Sequence, residues 1–379
     1  MLFRSYVSGV FYSDESNIYI NTGDVLSFPI IASKQSYAAK TSNKTYAGYA
    51  QGTYDLSDAT GLEGLGFTAG ARYTDEKVGL QTLPADVSFS DSAAAQATYE
   101  PNQSKSYKNV SWTTGLQEQL NSRLLIYAAS RRSYRNGGFN TSERPVPGLG
   151  TEGGDGYDRE TVTDFELGTK YQGEFAAMPV RANLALYQDW VENSQRVAYT
   201  IVGGSPAAVT VNVPKAQVKG LELDGAINPT SWLQLGTAGS YTNARFTSNL
   251  VSIDGGAPVV FGTYPDTPKW SGSAFGEVTV PVSGDLAVSV RGDVYGQTGT
   301  FFSSTANTNP GAQLPGYKLV NFRIGLGDEK MGWQASFSLK NALNEVYYVG
   351  GVGLGELFQL NTAVPGEPRT FFGEIRYRF

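Results

Sequence analysis

Strict alternation of apolar and polar residues runs through most of this chain and leaves little choice of fold. From Trp333, the apolar residues Trp333, Ala335, Phe337 and Leu339 alternate with Gln334, Ser336, Ser338 and Lys340. Ala182, Leu184 and Leu186 alternate with Arg181, Asn183, Ala185, Tyr187 and Asp189, and Leu221 and Leu223 with Gly220, Glu222 and Asp224. Successive side chains of a strand point to opposite sides, so each segment has one oily and one wet face. A helix would need apolar residues three and four apart, and these segments lack that spacing.

The pattern predicts an all-β, antiparallel chain of about 14 strands in one domain spanning 1–379. The strands are expected near residues 3–14, 42–57, 64–80, 105–118, 122–135, 159–173 and 179–201. Seven more follow near 208–227, 231–246, 268–281, 285–301, 315–327, 332–343 and 368–379. Short connections such as Leu56–Gly61, Gly173–Met178, Asn228–Ser231, Val282–Asp285 and Gly327–Gly332 alternate with long ones. The long ones are Leu83–Ser104, Asn136–Asp158, Phe246–Lys269, Thr300–Leu314 and Asn344–Glu367. Short turns on one rim and long loops on the other are the layout of an outer-membrane β-barrel.

A soluble β-sandwich also alternates, but its strands are typically ~5–6 residues, and many here reach twice that. Aromatic residues gather toward strand ends, as at Tyr127 and Tyr134, Tyr187 and Trp190, Phe301 and Phe302, and Tyr347 and Tyr348. Tyr and Trp suit a lipid–water boundary, with the ring in the apolar layer and the polar handle in water. The slightly negative mean hydropathy does not oppose a membrane barrel, because only every second residue faces lipid.

Composition narrows function further. The 379 residues include 45 glycines and 23 tyrosines, well above the ~7% glycine of an average chain. Cysteine and histidine are both absent, which excludes disulfides, thiol nucleophiles, Ser-His-Asp triads and HExxH zinc sites. The net charge of −6 argues against a nucleic-acid partner. Gly64-Leu65-Gly66-Phe67-Thr68-Ala69 matches a loosened GxGxxG/A pattern. It runs into the strand residues Ala71-Arg72-Tyr73 instead of opening a helix, so it cannot offer helix N–H groups to a phosphate. Glu152, Asp155, Asp158 and Glu160 could supply oxygen ligands to calcium, although a solvated acidic loop is the simpler reading. No enzymatic chemistry and no cofactor are expected.

The chain ends Phe371-Phe372-Gly373-Glu374-Ile375-Arg376-Tyr377-Arg378-Phe379. Phe371, Ile375, Tyr377 and Phe379 share one face, and this pattern resembles the sorting signal read by the outer-membrane barrel assembly machinery. Upstream, Tyr127-Ala128-Ala129-Ser130-Arg131-Arg132 and Asn136-Gly137-Gly138-Phe139-Asn140 resemble the Tyr-Ala…Arg-Gly-Phe…Gly-Gly-Phe-Asn stretch of TonB-dependent receptors, with Ser133-Tyr134 in place of Gly-Phe. Glu166-Leu167-Gly168-Thr169-Lys170 and Gly220-Leu221-Glu222 resemble the strands that follow in that family. Asn341-Ala342-Leu343-Asn344 resembles its Asn-Leu-Phe-Asp-like turn. In order and spacing the resemblance spans essentially the whole chain.

That resemblance implies the C-terminal part of a 22-stranded barrel that houses a plug, with TonB engaged only through the plug. The opening residues Met1–Tyr12 lack a signal-peptide layout and read as a strand in progress. The plug, the early strands and the leader are therefore expected to lie outside this chain. The implied function is energy-dependent uptake of a scarce small-molecule ligand, such as an iron–siderophore complex, across the outer membrane, with this chain expected to be truncated and unable to transport alone. Its partners are outer-membrane lipid and the assembly machinery. Tyr134, Arg135, Asn136 and Phe139 are candidate ligand contacts where a strand meets a long loop. Arg132, Glu166, Lys170, Glu222 and Asp224 are candidate lumen-lining residues. Two rival readings are a closed 14-stranded passive channel or hydrophobic-solute transporter, and a surface adhesin or structural barrel.

Overall fold

The computed structural model describes residues 3–27, 31–83, 103–140, 156–202, 205–252, 258–305, 311–328, 332–354 and 360–378. Fourteen strands form one antiparallel sheet in which every strand pairs with its neighbour in sequence. The first seven are β1 (Phe3–Ser27), β2 (Ile31–Asp55), β3 (Leu65–Leu83), β4 (Gln103–Asn121), β5 (Leu124–Arg135), β6 (Glu160–Phe175) and β7 (Met178–Val202). The rest are β8 (Ser205–Thr230), β9 (Leu233–Ser248), β10 (Trp270–Ser283), β11 (Leu286–Gln297), β12 (Tyr317–Asp328), β13 (Trp333–Lys340) and β14 (Thr370–Tyr377). Among the described residues the pairing does not join β1 to β14.

Register converts the alternation into two faces. One rung runs Phe67, Leu116, Ala128, Leu167, Leu186, Leu221, Tyr241 and Trp270 across eight strands. The adjacent rung runs Gln117, Tyr127, Gly168, Ala185, Glu222, Ser240 and Ser271. The apolar face continues through Val290, Val294, Phe322, Ile324 and Phe337 to Phe371, Ile375 and Tyr377, with Ile324 54% and Ile375 84% exposed. An exposed apolar surface of this extent exceeds the few hundred Å² that water-soluble monomers tolerate, so its solvent is lipid. Phe371, Ile375 and Tyr377 thus share the outer face as expected, whereas Phe379 lies outside the described residues.

One hairpin exceeds the sequence expectation. The first strand was expected to stop near 14 and the second to start near 42, yet β1 and β2 stay paired to Ser27 and Ile31. Residues 15–27 and 31–41 mix Ser, Asn, Thr, Lys and Gln with scattered apolar residues and lack a continuous apolar–polar alternation, which a strand needs only where one face meets lipid. At the top of β7 and β8 the ladder skips Asn193 and Pro214, and Asn193 takes a left-handed φ of 53°. Below the skip Ala216 is buried; above it Val213 and Val209 are, packed on Ala198 and Phe261.

Turns explain the remaining boundaries. The run from Gly64 opens β3, as expected; Gly64 has φ 94°, and a Cβ there would stand 2.8 Å from the Gln119 carbonyl. β13 ends at Lys340 because Asn341 turns left-handed (φ 47°). The buried Asn341 side chain donates to the carbonyls of Glu345 (2.8 Å) and Glu367 (3.1 Å) and accepts from the Glu345 N–H (2.8 Å). One asparagine thereby ties both ends of the last long loop to the rim.

If the outer face meets lipid, Leu186→Arg destabilises the sheet by ~2–4 kcal/mol at mid-bilayer depth. Ala185→Arg, one residue away on the polar face, should cost far less. Urea titration of vesicle-reconstituted protein measures both, and equal costs would show that the faces are misassigned.

Candidate functional site

The polar face carries a recess of about 510 Å³ at mid-height on β5 to β11. Glu166, Lys170, Glu222 and Asp224, all expected to line the lumen, stand in it together with Tyr127, Asn183, Tyr187, Ser240 and Tyr295. Glycines make room for the rings. Tyr127 lies over its cross-strand partner Gly168, where a Cβ would be 2.5 Å from the phenol oxygen. Tyr187 lies over Gly220 in the same way, again with 2.5 Å to a Cβ. The bare glycines thus set the Tyr127 hydroxyl on the Glu166 carboxylate and the Tyr187 hydroxyl 3.1 Å from that of Thr242.

The charges there are partly satisfied. The Tyr127 hydroxyl donates to Glu166 (2.7 Å), and Arg131 bridges Glu166 and Asp164. The Asn183 amide donates to both oxygens of Asp224 (3.0 and 3.1 Å), with Arg181 at 3.5 Å. The Lys170 ammonium stands 5.7 Å from the Tyr127 ring centre. Glu222 makes no hydrogen bond or ion pair among the described residues, and the recess as a whole is acidic.

Above the recess, the segment after β5 folds back against β4 and the top of β7 and β8. Gly138–Phe139 pairs with Gly156–Tyr157. Gly137 is obligatory at this close approach, because a Cβ would collide with the Tyr107 hydroxyl and the Tyr157 carbonyl. Gln195, 6% exposed, is the hub. Its side-chain amide donates to the carbonyls of Asn136 (2.8 Å) and Asp158 (2.9 Å), while its own N–H donates to Glu160 (2.7 Å). Arg135 and Arg196 flank Glu160 at 3.6 and 3.9 Å. The Asn140 amide closes the arrangement by donating to the Thr210 carbonyl (3.0 Å) and accepting from the Thr210 N–H (2.7 Å). Burial pushes the Tyr157 phenol above its ordinary value, with Arg135 pulling the other way.

Two sequence expectations are corrected by register. Arg132 pairs with Trp112 and Thr163 and so stands on the outer face, 3.9 Å from Glu192, not in the lumen. Tyr134 shares that parity, whereas Arg135 faces inward and Asn136 and Phe139 sit in the folded-back segment. Of the calcium candidates, Glu152 and Asp155 lie outside the described residues. Asp158 pairs with Lys105 (2.7 Å) and Glu160 serves the Gln195 hub. Among the described residues no group of three or more acidic side chains could hold a metal. Sequence reading missed Tyr127, Asn183 and Tyr187 in the recess; the alternation that puts Asn183, Ala185 and Tyr187 opposite Leu184 and Leu186 was the available signal.

Gln195→Ala removes both donors to the loop and strands two carbonyls, a loss of ~1–3 kcal/mol. Amide hydrogen exchange over 136–140 and 156–160 should accelerate by roughly tenfold or more, with exchange at the base of β6 and β7 unchanged. Unaltered loop exchange would show that Gln195 does not hold the segment.

The model for "TonB dependent receptor-like, beta-barrel" matches residues 3–342. No curated protein matches the chain by sequence. Among solved structures, the ferric yersiniabactin uptake receptor FyuA from Yersinia pestis superposes with a TM-score of 0.72 at 17% identity, over 99% of this chain and 51% of FyuA. The ferric-catecholate import receptor Fiu from E. coli K12, in its closed form, gives 0.67 at 18% identity, over 99% and 52%. The copper transporter OprC gives 0.67 at 15% identity, over 98% and 54%. At these identities the likeness is one of fold, and the chain spans about half the length of each of these proteins. A fourteen-stranded antiparallel sheet with a lipid-facing outside and a polar inside, matched by the family model over most of its length, makes this chain a member of the TonB-dependent receptor-like β-barrel family, whose barrels are receptors of the bacterial outer membrane and not enzymes.

Proposed function

We propose that this protein takes part in energy-dependent uptake of a scarce ligand, an iron–siderophore complex foremost, across the outer membrane. The observation that carries this reading is the pair of folded-back stretches 136–140 and 156–160, held by Gln195 above an acidic, tyrosine-lined recess on the inner face. Arg135, Asn136 and Phe139 are the proposed capture residues. Asn136 supports this with a side-chain N–H that is buried and has no partner among the described residues. Glu166, Lys170, Glu222 and Asp224 are proposed to line the route below. TonB would act through a plug domain, and the barrel assembly machinery would read the apolar face of β14. FyuA and Fiu are receptors for ferric complexes by name, while OprC carries copper, so the shared fold leaves the ligand to the loops.

The test is uptake of radiolabelled ferric siderophores by cells that express this barrel together with a plug domain and lack other receptors. Uptake should stop on dissipation of the proton gradient. A combined Arg135→Ala and Asn136→Ala variant should weaken ligand binding by tenfold or more while assembled protein in the membrane stays constant. Tyr134→Ala, on the outer face, should change binding little. Equal loss of assembled protein, or uptake indifferent to the proton gradient, would contradict the proposal.

A further inference from the structure

The outer face of β1 to β4 departs from the rest of the lipid-facing surface. Its apolar stretch ends at Tyr12, Tyr46, Tyr73 and Val110, all roughly half exposed. Immediately beyond, Asp14, Lys44, Lys77 and Ser106 form one rung, and Tyr46, Asp75 and Lys108 form the rung beside it. Lys40, Lys44 and Lys77 line a shallow groove of about 580 Å³ with Asp14, Ser42 and Gln81. Over this stretch the outer parity carries four lysines (40, 44, 77, 108) against two aspartates (14, 75), in a chain whose net charge is −6.

These lysines do not belong to the lumen. Inward-facing residues at the same height, Thr45, Ala47, Thr74 and Asn109, are 1–8% exposed, whereas Lys44, Lys77 and Lys108 are exposed. Their height is also set. Lys44 lies 11 residues above the foot of β2 at Asp55, and Lys77 lies 12 above the foot of β3 at Leu65. At ~3.3 Å per residue and a tilt of about 40°, that is ~28–30 Å, just past an apolar band of ~25 Å. Side chains at that level meet headgroups, and the long-loop rim makes them those of the outer leaflet. Lys44 leans on Asp14 (3.0 Å) and Lys108 on Asp75 (4.0 Å), but Lys77 has no hydrogen bond or ion pair among the described residues.

We infer that this face seats a phosphorylated glycolipid of the outer leaflet, with Lys44, Lys77 and Lys108 on its phosphates and Tyr12, Tyr46 and Tyr73 against the upper part of its acyl chains. The inference rests on the reading that the apolar face lies in the outer membrane. Ammonium groups at a membrane surface attract anionic headgroups singly by about fivefold in affinity, and a cluster compounds that. The tyrosine band gives the same lipid an amphipathic edge to lie on.

Native mass spectrometry of the protein extracted from outer membranes, titrated with bisphosphorylated lipid A and with its dephosphorylated form, tests the site. Wild-type protein should hold the phosphorylated lipid at least tenfold more tightly. A combined K44A/K77A/K108A variant should lose about a hundredfold, K77A alone about fivefold, and K318A, a lysine on the same face far away on β12, nothing. Heat-modifiable mobility on gels reports assembly in parallel. Assembled protein that binds both lipids equally, or a triple variant that binds like wild type, overturns the inference and leaves the membrane reading intact. Protein that never embeds in the membrane overturns both.

Discussion

In hydrocarbon, a peptide N–H or C=O without a partner costs several kcal/mol. Every strand from β2 to β13 meets that demand by pairing on both sides with its neighbours in sequence. Once all backbone polarity is spent sideways in the sheet plane, side chains have only two directions left. One rung of leucines and aromatics from Phe67 to Trp270, beside another of Tyr127, Glu222 and Ser240, is the direct consequence. The recess, the lipid face and the outer lysines are all products of that division.

The family's short motifs take on physical meaning within it. Gly168 and Gly220 precede no turn; each is a bare patch of strand on which a tyrosine from the next strand lies flat, leaving its hydroxyl beside a carboxylate or a threonine. Gly137 is bare for another reason, since the folded-back segment passes too close to Tyr107 and Tyr157 for any side chain. Asn341 is a knot for the last long loop. Each motif is thus a packing solution at one place in the sheet.

Much of the fold was legible because alternation and turn chemistry are local. All fourteen expected strands correspond to strands of the sheet, and the assigned oily faces of Arg181–Asp189 and Trp333–Lys340 agree with register. Legibility failed where the physics stops being local. Residues 15–27 and 31–41 form strand without a continuous one-sided pattern, because above the bilayer no face has to meet lipid. Arg131 and Arg132 are adjacent and chemically alike, and only the pairing with β4 and β6 sends one inward and the other out. Gln195 is an ordinary glutamine in sequence, and its role as hub depends on carbonyls of Asn136 and Asp158, dozens of residues away. The skip at Asn193 and Pro214, which turns Val209 and Val213 inward, likewise exists only once two strands are aligned.

The two-faced sheet is tested most directly by cysteine scanning, and the chain has no native cysteine to interfere. Single cysteines placed along Asn183 to Gln188 and along Gly220 to Asp224, in protein embedded in outer membranes, would be reacted with a water-soluble maleimide. A bilayer-confined quencher would then be applied to a fluorophore at each site. Labelling from water at Asn183, Ala185, Tyr187, Glu222 and Asp224, with lipid quenching at Leu184, Leu186, Leu221 and Leu223, is the result this account predicts. Uniform labelling with no lipid quenching would contradict it and return the chain to the soluble sandwiches.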